Sequence, residues 1–286
     1  MKRKTLLLLL LLMIFGSGSL LAVAQQDEDV RGAFMTTRPK ASDNKGNKLA
    51  ARPSHRRPKA TSGAVSDGGT LKNSGSNRKA TAPRMGLGLT LFMRDSTGLA
   101  VRTDPSREFY KGDHVRVLLE TNVDGYLYIF NTTNDGQPVM IYPDPALDEG
   151  GNYIQAHVPF EIPASTAVEE RLRWFTFDQN AGAEKMYFVF SREPLSGVPI
   201  EDDLITFCRS NSTKCPWHPA VETWAALEKE LSEPVKAKRG RMEGAQTPAE
   251  HRGIGLNRED PEPSLIMLSA STSKNILAAT LDLIHK

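Results

Sequence analysis

Residues 124–130, Asp-Gly-Tyr-Leu-Tyr-Ile-Phe, decide the fold. Asp-Gly is a strong turn signal, and the five residues that follow it are aromatic or aliphatic without a break. A short run that is apolar at every position indicates a strand that is covered on both faces. We therefore expect this strand to lie at the centre of a β-rich domain.

Strand patterns continue on both sides of this run. Leu87, Leu89 and Leu91 occupy alternate positions, which is the period of a strand with one buried face. Residues 276–284 favour a final strand, although their alanines leave a helix as the alternative. The pattern predicts an all-β fold over residues 86–286, either a β-sandwich or a flattened barrel. Further predicted strands lie at residues 114–120, 139–142, 174–177, 186–190 and 265–268.

One short helix is predicted between Pro219 and Pro234. Its apolar residues recur at helical spacing, and proline suits the first turn of a helix and the position after its end. Residues 235–262 are then rich in Lys, Arg, Gly, Pro and Glu, and we expect them to form a mobile insertion. The apolar residues of the helix are Val221, Trp224, Leu227 and Leu231.

The first 24 residues have the three parts of a secretory signal peptide. Residues 1–4 are basic, residues 6–15 are apolar, and Ala22-Val23-Ala24 is a small-x-small cleavage site. The apolar stretch is shorter than the about 20 residues that a membrane span needs, so an uncleaved anchor is the weaker alternative. We expect cleavage after Ala24, a secreted or periplasmic protein, and no stable membrane span afterwards.

Residues 25–85 have the composition of a disordered basic linker. They contain 13 Lys and Arg against 5 Asp and Glu, a net charge of +8. Because the whole chain carries +2 and the signal peptide +3, residues 86–286 carry −9. The linker either touches an anionic surface or its own domain, or it only keeps a tether solvated, and this last reading is favoured. Residues 30–39 form an apolar island that either docks at a sheet edge or has no structural role, and again the second is favoured.

An ordered set of short motifs indicates a family resemblance. Residues 109–115 contain a Phe-x-x-Gly-Asp opening, residues 124–131 an Asp-Gly-Tyr-aliphatic-Tyr strand, and residues 142–143 a Tyr-Pro strand end. Over about residues 86–195 the chain resembles the bacterial domain of unknown function 4384 family. The resemblance implies an all-β accessory module, found in exported proteins or beside kinase-like and caspase-like domains, with no established activity.

The motif residues have structural interpretations. Gly112 permits a tight turn into a strand, and Asp113 can accept hydrogen bonds from backbone amides there. Gly125 is expected to supply a positive φ for a hairpin. The residues of the structural motif are Phe109, Gly112, Asp113, Asp124, Gly125 and Pro143.

Three tyrosines offer a candidate ligand-binding surface. Tyr126 and Tyr128 share one face of the central strand, and Tyr142 ends a later strand. Tyrosine combines a large apolar ring with a hydroxyl that can reach solvent, so the three side chains either bury their rings in the core or form a platform for a ligand. The structural reading is favoured.

Cys208 and Cys215 are the only cysteines. In an exported protein an even number of cysteines indicates a disulfide, which in a loop this short contributes about 2–3 kcal/mol. A redox centre at Cys215-Pro216-Trp217-His218 lacks the second cysteine of a dithiol motif. A zinc site from Cys208, Cys215 and His218 needs a fourth ligand, for which His157 is the histidine considered. The disulfide is favoured.

No other pattern predicts chemistry. Asp144, Asp148, Glu149 and Asn152 could bind calcium, but their spacing matches no EF-hand, and residues 201–203 are an acidic run typical of a solvated loop. The motifs of serine hydrolases, zinc proteases, phosphate-binding loops and dinucleotide folds are missing from the sequence. No catalytic residue, metal or cofactor is therefore predicted. A basic linker without interleaved aromatic residues, joined to an acidic domain, argues against nucleic-acid binding.

These observations favour a non-enzymatic role. We expect an exported binding or interaction module of the bacterial cell envelope, whose partner is an unknown envelope protein or polymer. One alternative is an exported hydrolase that uses carboxylates or a metal ion, because the separation of carboxylates cannot be judged from sequence. The other is a protein whose basic linker binds an anionic envelope polymer.

Overall fold

The computed structural model describes residues 30–41, 55–57, 83–146, 148–253 and 255–286. The regular secondary structure of these residues is mainly β-strand and forms two β-sheets, in agreement with the predicted all-β class. The strands of this part of the chain are β1 (Gly86–Arg94), β2 (Ala100–Arg102), β3 (Glu108–Phe109), β4 (His114–Thr121), β5 (Gly125–Thr133), β6 (Val139–Tyr142), β7 (Tyr153–Ile154), β8 (Phe160–Ile162), β9 (Phe175–Thr176), β10 (Gly182–Ser191), β11 (Val235–Arg239), β12 (Leu265–Ser269) and β13 (Ile276–His285).

The two sheets have distinct strand orders. Sheet A runs β11-β12-β1-β4-β8, with β2 beside β1 and β9 beside β4. Sheet B runs β3-β13-β10-β5-β6, with β7 beside β5. Strand β5 is therefore an inner strand, as its continuous apolar run predicts, and the last segment is a strand rather than the alternative helix. Within the described residues neither sheet closes into a barrel, because β11 and β8 remain the outer strands of sheet A and β3 and β6 those of sheet B.

The inner faces of the two sheets share one hydrophobic core. Successive side chains of a strand point to opposite faces, so the alternating leucines of β1 face this core together with alternate residues of β4. Sheet B contributes alternate residues of β5, β10 and β13 to the same cluster. The largest of these side chains in sheet B are Phe188 and Phe190, which are fully buried.

Two helices cover the outer face of sheet B. They are α2 (Glu201–Ser210) and α3 (Val221–Leu231), and they bury Leu204 and Leu227 against the aromatic residues of β5. Helix α3 is the predicted helix. Helix α2 was not predicted: its acidic residues, interpreted as a solvated loop, lie in the first turn of a helix, where negative charge is stabilised by the helix dipole.

Part of the predicted linker packs on the outer face of sheet A. Residues 30–35 form helix α1, whose Val30 and Phe34 are buried against Ile266 and Leu268 of β12. This corrects the favoured reading of the apolar island: the segment docks, and it does so as a helix on a sheet face rather than as a strand at a sheet edge. Residues 55–57 also contact the domain, where the His55 carbonyl accepts a hydrogen bond from Tyr153 N (2.7 Å).

Glycine makes this docking possible. A Cβ atom on Gly86 would lie 2.7 Å from the Phe34 ring and 2.8 Å from Leu268, closer than side chains pack. The outer face of β1 is thus flat enough for the aromatic ring of Phe34 to lie against it.

The segment 235–262, predicted to be a mobile insertion, contains regular structure. Strand β11 pairs with β12 over its whole length, and the short helix α4 (Pro248–Arg252) starts with a Thr247–Glu250 capping box. Glu250 is buried in an ion pair with Arg102 (2.6 Å). The prediction of a mobile insertion was wrong because it relied on the polar composition of the segment. The segment is anchored by an ion pair and by backbone hydrogen bonds to β12 rather than by apolar side chains.

Some predictions fall on residues that the structure leaves undescribed. The signal peptide of residues 1–24, its cleavage site after Ala24 and most of the linker lie outside the described residues. Within the residues that are described, no helix is long and apolar enough to span a membrane.

Candidate functional site

A cavity of about 370 Å³ opens at one end of the shared core. We call it the end cleft. It lies where β4 and β10 begin and β5 and β13 end, so both sheets contribute to its walls. Its lining residues are Val115, Asn131, Thr133, Ile141, Phe175, Thr176, Phe177, Asp178, Asn180, Glu184, Met186, Leu283 and His285.

The floor of the end cleft is apolar because the core continues into it. Val115, Met186 and Leu283 belong both to the buried cluster between the sheets and to the lining of the cleft. They are the last inward-facing apolar residues of their strands at this end. A ligand with an apolar body can therefore bury surface here without any rearrangement of the core.

The rim is polar because the core-facing residues of three strands change from apolar to polar at this end of the two sheets. On β5 the row passes from Ile129 to Asn131, and on β13 it passes from Leu283 to His285. On β10 the residue before Met186 in the inward row is Glu184. Polar side chains on paired strands are held at fixed spacing, which is what a site needs in order to orient a ligand.

Glu184 is fixed by two hydrogen bonds from β5. Its carboxylate accepts one from Asn131 Nδ2 (3.0 Å) and one from Thr133 Oγ1 (2.9 Å). Glu184 and Thr133 are direct cross-strand partners. The carboxylate is thus anchored at the rim and still has lone pairs that can accept hydrogen bonds from a ligand.

Asp178 supplies a second carboxylate. It accepts hydrogen bonds from Asn180 N (2.6 Å) and Asn180 Nδ2 (2.7 Å). These bonds, the backbone one first, stabilise the charged form and lower the pKa of Asp178. Asp178 is consequently ionised throughout the neutral range, and the rim is acidic.

His285 is the most unusual group of the end cleft. Its side chain is buried (5% exposed), and among the described residues its Nε2 has no hydrogen-bond partner. Its ring lies 5.1 Å from the Phe177 ring. A buried polar atom without a partner is costly by about 1–3 kcal/mol, so a ligand group that hydrogen-bonds to Nε2 would gain that amount on binding.

The Phe-x-x-Gly-Asp motif forms the wall behind His285. Phe109 stacks on Phe177 with ring centroids 4.9 Å apart. Gly112, at φ 88°, donates its N–H to the Phe177 carbonyl (2.9 Å), and Phe177 N donates to the Asp113 carbonyl (3.0 Å). The Asp113 carboxylate closes the turn by accepting from Tyr110 N (3.0 Å). The motif thus positions Phe177, a residue of the cleft.

The Asp-Gly motif lies at the opposite end of β5. Asp124 accepts hydrogen bonds from Ala156 N (2.8 Å) and Tyr153 Oη (3.1 Å). Burial, and then the Asp124 charge, raise the pKa of Tyr153 to about 12. Gly125 does not have the predicted positive φ; it is needed because a Cβ atom would lie 2.5 Å from the Ser191 carbonyl oxygen.

The three tyrosines considered as an alternative ligand platform do not share a surface. Tyr126 and Tyr128 face the helices that cover sheet B, whereas Tyr142 faces the core between the sheets. All three side chains are buried. The Tyr128 hydroxyl accepts from Leu195 N (3.0 Å), and the Tyr142 hydroxyl donates to the Gly151 carbonyl (3.1 Å), next to the cis peptide bond before Pro143.

The residues of the disfavoured zinc site are dispersed. Cys208 and Cys215 lie at disulfide distance, with their sulfurs 2.16 Å apart, as the favoured reading predicts. His157 contacts Glu120 and Thr37 on the other side of the molecule. No group of three or more His, Cys, Asp or Glu side chains that could hold a metal ion occurs in the described part of the chain.

The candidate calcium loop is also used internally. Asp144 accepts a hydrogen bond from Ala146 N (2.8 Å), and Glu149 forms an ion pair with Arg56 (2.9 Å). Asn152 is buried and donates to the Leu127 carbonyl (3.0 Å). The Asp144 and Glu149 carboxylates thus have separate partners, and Asn152 makes its contact through its amide nitrogen.

Sequence reasoning missed the end cleft. The signal that was available is the change from apolar to polar residues in the inward rows of β5 and β13, together with the Glu184–Met186 row of β10. This change can be recognised as a site only when the register of the strands is known, because a single polar residue near the end of a strand is common.

Comparison with known families supports the resemblance. Residues 108–194 match the model of the Domain of unknown function (DUF4384). The match runs from β3 through β10 and includes Phe177, Asp178 and Glu184, but not Leu283 and His285 of β13. It covers less than half of the chain. No curated protein and no solved structure matches the chain.

Proposed function

We propose that this protein is an exported, non-enzymatic binding module of the bacterial cell envelope. In this proposal the two sheets form a β-sandwich that carries the recognition site, and the end cleft is that site. The buried Nε2 of His285, which lacks a partner among the described residues beside an apolar floor, is the observation that carries the proposal. A largely apolar cavity with a few convergent polar groups is the usual form of a ligand site.

The chemistry of the cleft selects the class of ligand. Glu184 and Asp178 make the rim acidic, whereas the floor is formed by Val115, Met186 and Leu283. A ligand with an apolar or aromatic body and an ammonium or guanidinium head matches both parts. A cavity of about 370 Å³ accommodates one large side chain or a small amine, not a polymer chain.

Binding is better supported than hydrolysis. A catalytic acid needs a raised pKa, and the pKa of Asp178 is lowered. Glu184 is restrained by Asn131 and Thr133 rather than by a group that would move protons. The coexistence of two carboxylates and an imidazole in one cleft is nevertheless what favours the hydrolase as the second candidate. It predicts turnover of glycoside or ester substrates that the Glu184→Gln variant loses.

The test uses a matched pair of small probes. We expect 2-phenylethylamine, added to the mature protein, to shift the NMR signals of the Leu283 methyl groups and the His285 ring. We expect 2-phenylethanol, which lacks the charge, to bind at least about tenfold more weakly, since a charge-assisted hydrogen bond contributes about 1.5–3 kcal/mol.

Variants separate the acidic rim from general charge effects. Glu184→Gln should reduce amine affinity to that of the alcohol, whereas Glu222→Gln, which removes an exposed carboxylate on α3, should change nothing. Equal affinity for 3-phenylpropanoate and for the amine would contradict the proposed ligand class. Amine binding that leaves Leu283 and His285 unperturbed would contradict the proposed site.

Export is tested independently. N-terminal sequencing of the protein recovered from the envelope fraction of a bacterial host should begin at Gln25. Recovery of an intact N-terminus at Met1 in the cytoplasm would overturn the assignment of export without bearing on the cleft.

A further inference from the structure

A second cavity, of about 440 Å³, lies on the outer face of sheet A. We call it the basic pocket. It is bounded by the end of β1, by Arg116 of β4 and by the segments 165–174 and 245–251, the second of which includes the start of α4. Its lining residues are Arg94, Gly98, Leu99, Ala100, Arg116, Ser165, Glu170, Arg173, Trp174, Ala245, Gln246, Thr247, Pro248 and His251.

Positive charge is in excess in the basic pocket. The lining contains three arginines and one glutamate. Arg94 is paired with Glu170 at the rim (2.8 Å). Arg173 donates to the carbonyls of Ala167 (2.7 Å) and Val168 (3.3 Å), and it has no carboxylate partner among the described residues. One cation is therefore left uncompensated.

Arg116 is built into the floor. It is 4% exposed, its guanidinium carbon lies 4.2 Å from the centre of the Trp174 ring, and Nη2 donates to Gln246 Oε1 (3.0 Å). Its Nε has no hydrogen-bond partner among the described residues, and the nearest carboxylate, that of Glu161, lies 3.5 Å away. Burial lowers the pKa of Arg116, an effect that Glu161 opposes and the nearby Arg173 reinforces. The negative charge of an anion in the pocket would offset both the cost of burying the Arg116 charge and its repulsion by Arg173.

Exposed apolar side chains surround the charge. Leu99 is 58% exposed, Val168 96% and Leu172 49%. Leu99 lines the pocket, and the other two lie in the loop that also supplies Glu170, Arg173 and Trp174. Large apolar side chains exposed around a polar centre are typical of surfaces that bind another protein.

We propose that the basic pocket binds one carboxylate side chain of a partner peptide whose neighbouring residues are apolar. The carboxylate lies against Arg116 and Arg173, and the flanking residues cover Leu99 and Leu172. A planar carboxylate matches the fork of an arginine guanidinium. An anionic membrane is a poorer occupant, because residues 86–286 carry a net charge of −9 and would be repelled by an extended anionic surface.

The test compares two peptides that differ only in charge. We expect acetyl-Leu-Glu-Leu-amide to shift the indole N–H signal of Trp174 in the full mature protein, with acetyl-Leu-Gln-Leu-amide at least about tenfold weaker. The signal is assigned by its loss in the Trp174→Phe variant. Arg173→Gln should weaken the Glu peptide about tenfold and leave the Gln peptide unchanged.

Two controls make the result decisive. Arg239→Gln removes an exposed arginine that is outside the pocket and paired with Asp104, and it should leave both peptides unaffected. Phosphatidylglycerol vesicles should not perturb Trp174. Equal binding of the two peptides, or perturbation of Trp174 by vesicles alone, would overturn the proposal. Arg173 does not line the end cleft, so amine binding there should survive Arg173→Gln. Survival of amine binding distinguishes a failure of this proposal from a failure of the proposed function.

Discussion

The two sheets are covered on their outer faces by opposite kinds of chemistry. The helices on sheet B bury leucine and aromatic side chains, and a disulfide joins the end of α2 to the segment before α3. The N-terminal segment on sheet A adds to its apolar contacts a buried ionic cluster, in which Arg38 binds Glu120 through two hydrogen bonds (2.8 and 2.6 Å).

The ionic cluster extends beyond this pair. The Arg38 guanidinium also donates to the carbonyls of Asn257 (3.1 Å), Asp260 (2.8 Å) and Pro261 (3.0 Å). On its other side Glu120 accepts a hydrogen bond from His157 Nδ1 (2.8 Å). The comparison teaches that one cover is held by non-directional burial, whereas the other depends on a few directional contacts that fail together when one partner is lost.

The largest expected effect is therefore on sheet A. Arg38→Met should lower the free energy of unfolding by about 3–5 kcal/mol, because it leaves the buried Glu120 carboxylate without its cation. Urea unfolding of the mature protein measures the change. The matched control is Arg239→Met, whose exposed ion pair with Asp104 should be worth no more than about 1 kcal/mol. Similar values for the two variants would show that Arg38 does not hold the segment.

A smaller effect is expected on sheet B. The double variant Cys208→Ser and Cys215→Ser should lose about 2–3 kcal/mol, since it releases only the loop-closure entropy of a short loop and leaves the apolar contacts of α2 and α3 in place. Thermal or urea unfolding under oxidising conditions measures it. A loss greater than that of Arg38→Met would reverse the comparison and place the weaker point of the molecule on sheet B.

The same difference explains which parts of the fold could be predicted. Alternating leucines on β1 and the helical spacing of Val221, Trp224 and Leu227 are local patterns, and both predictions were confirmed. The docking of the N-terminal segment was missed because Val30 and Phe34 are the only fully buried apolar side chains of α1, and because the ion pair that follows the helix joins Arg38 to Glu120, 82 residues away. The sequence around a single arginine in a basic stretch does not indicate that this arginine pairs with a buried carboxylate.

The site follows the same logic. The Phe-x-x-Gly-Asp motif was recognised from sequence and matches a family, yet its contact with Phe177, and hence its connection to the end cleft, required the strand register. Glu184 and His285 are separated by a hundred residues of chain and become neighbours only through the pairing of β10 with β13. The tyrosines, in contrast, stood out in the sequence because they are large and clustered, which are also the properties of core residues.

The last expected difference between the two covers is their response to acid. Burial acts to raise the pKa of Glu120, but the hydrogen bonds from His157 and Arg38 outweigh it, so the pKa is lowered in the folded state. A carboxylate with a lowered folded pKa contributes stability that is present above its unfolded pKa of about 4.3 and is lost as the pH falls through the folded value.

The free energy of unfolding of the wild-type protein should therefore fall on acidification. The Glu120→Gln variant should be less stable at neutral pH, but its free energy of unfolding should fall by a smaller amount over the same pH range. Urea unfolding at neutral pH and at about pH 4 measures the two slopes. Asp95→Asn is the matched control: the pKa of Asp95 is also lowered, first by the Thr97 side chain, but the group is exposed and solvent screens its contribution. Equal reductions of the pH dependence by Glu120→Gln and Asp95→Asn would contradict this prediction. The buried Glu120 ion pair would then contribute no more to stability than an exposed carboxylate in a surface turn, and the covers of the two sheets would differ only in their apolar contacts.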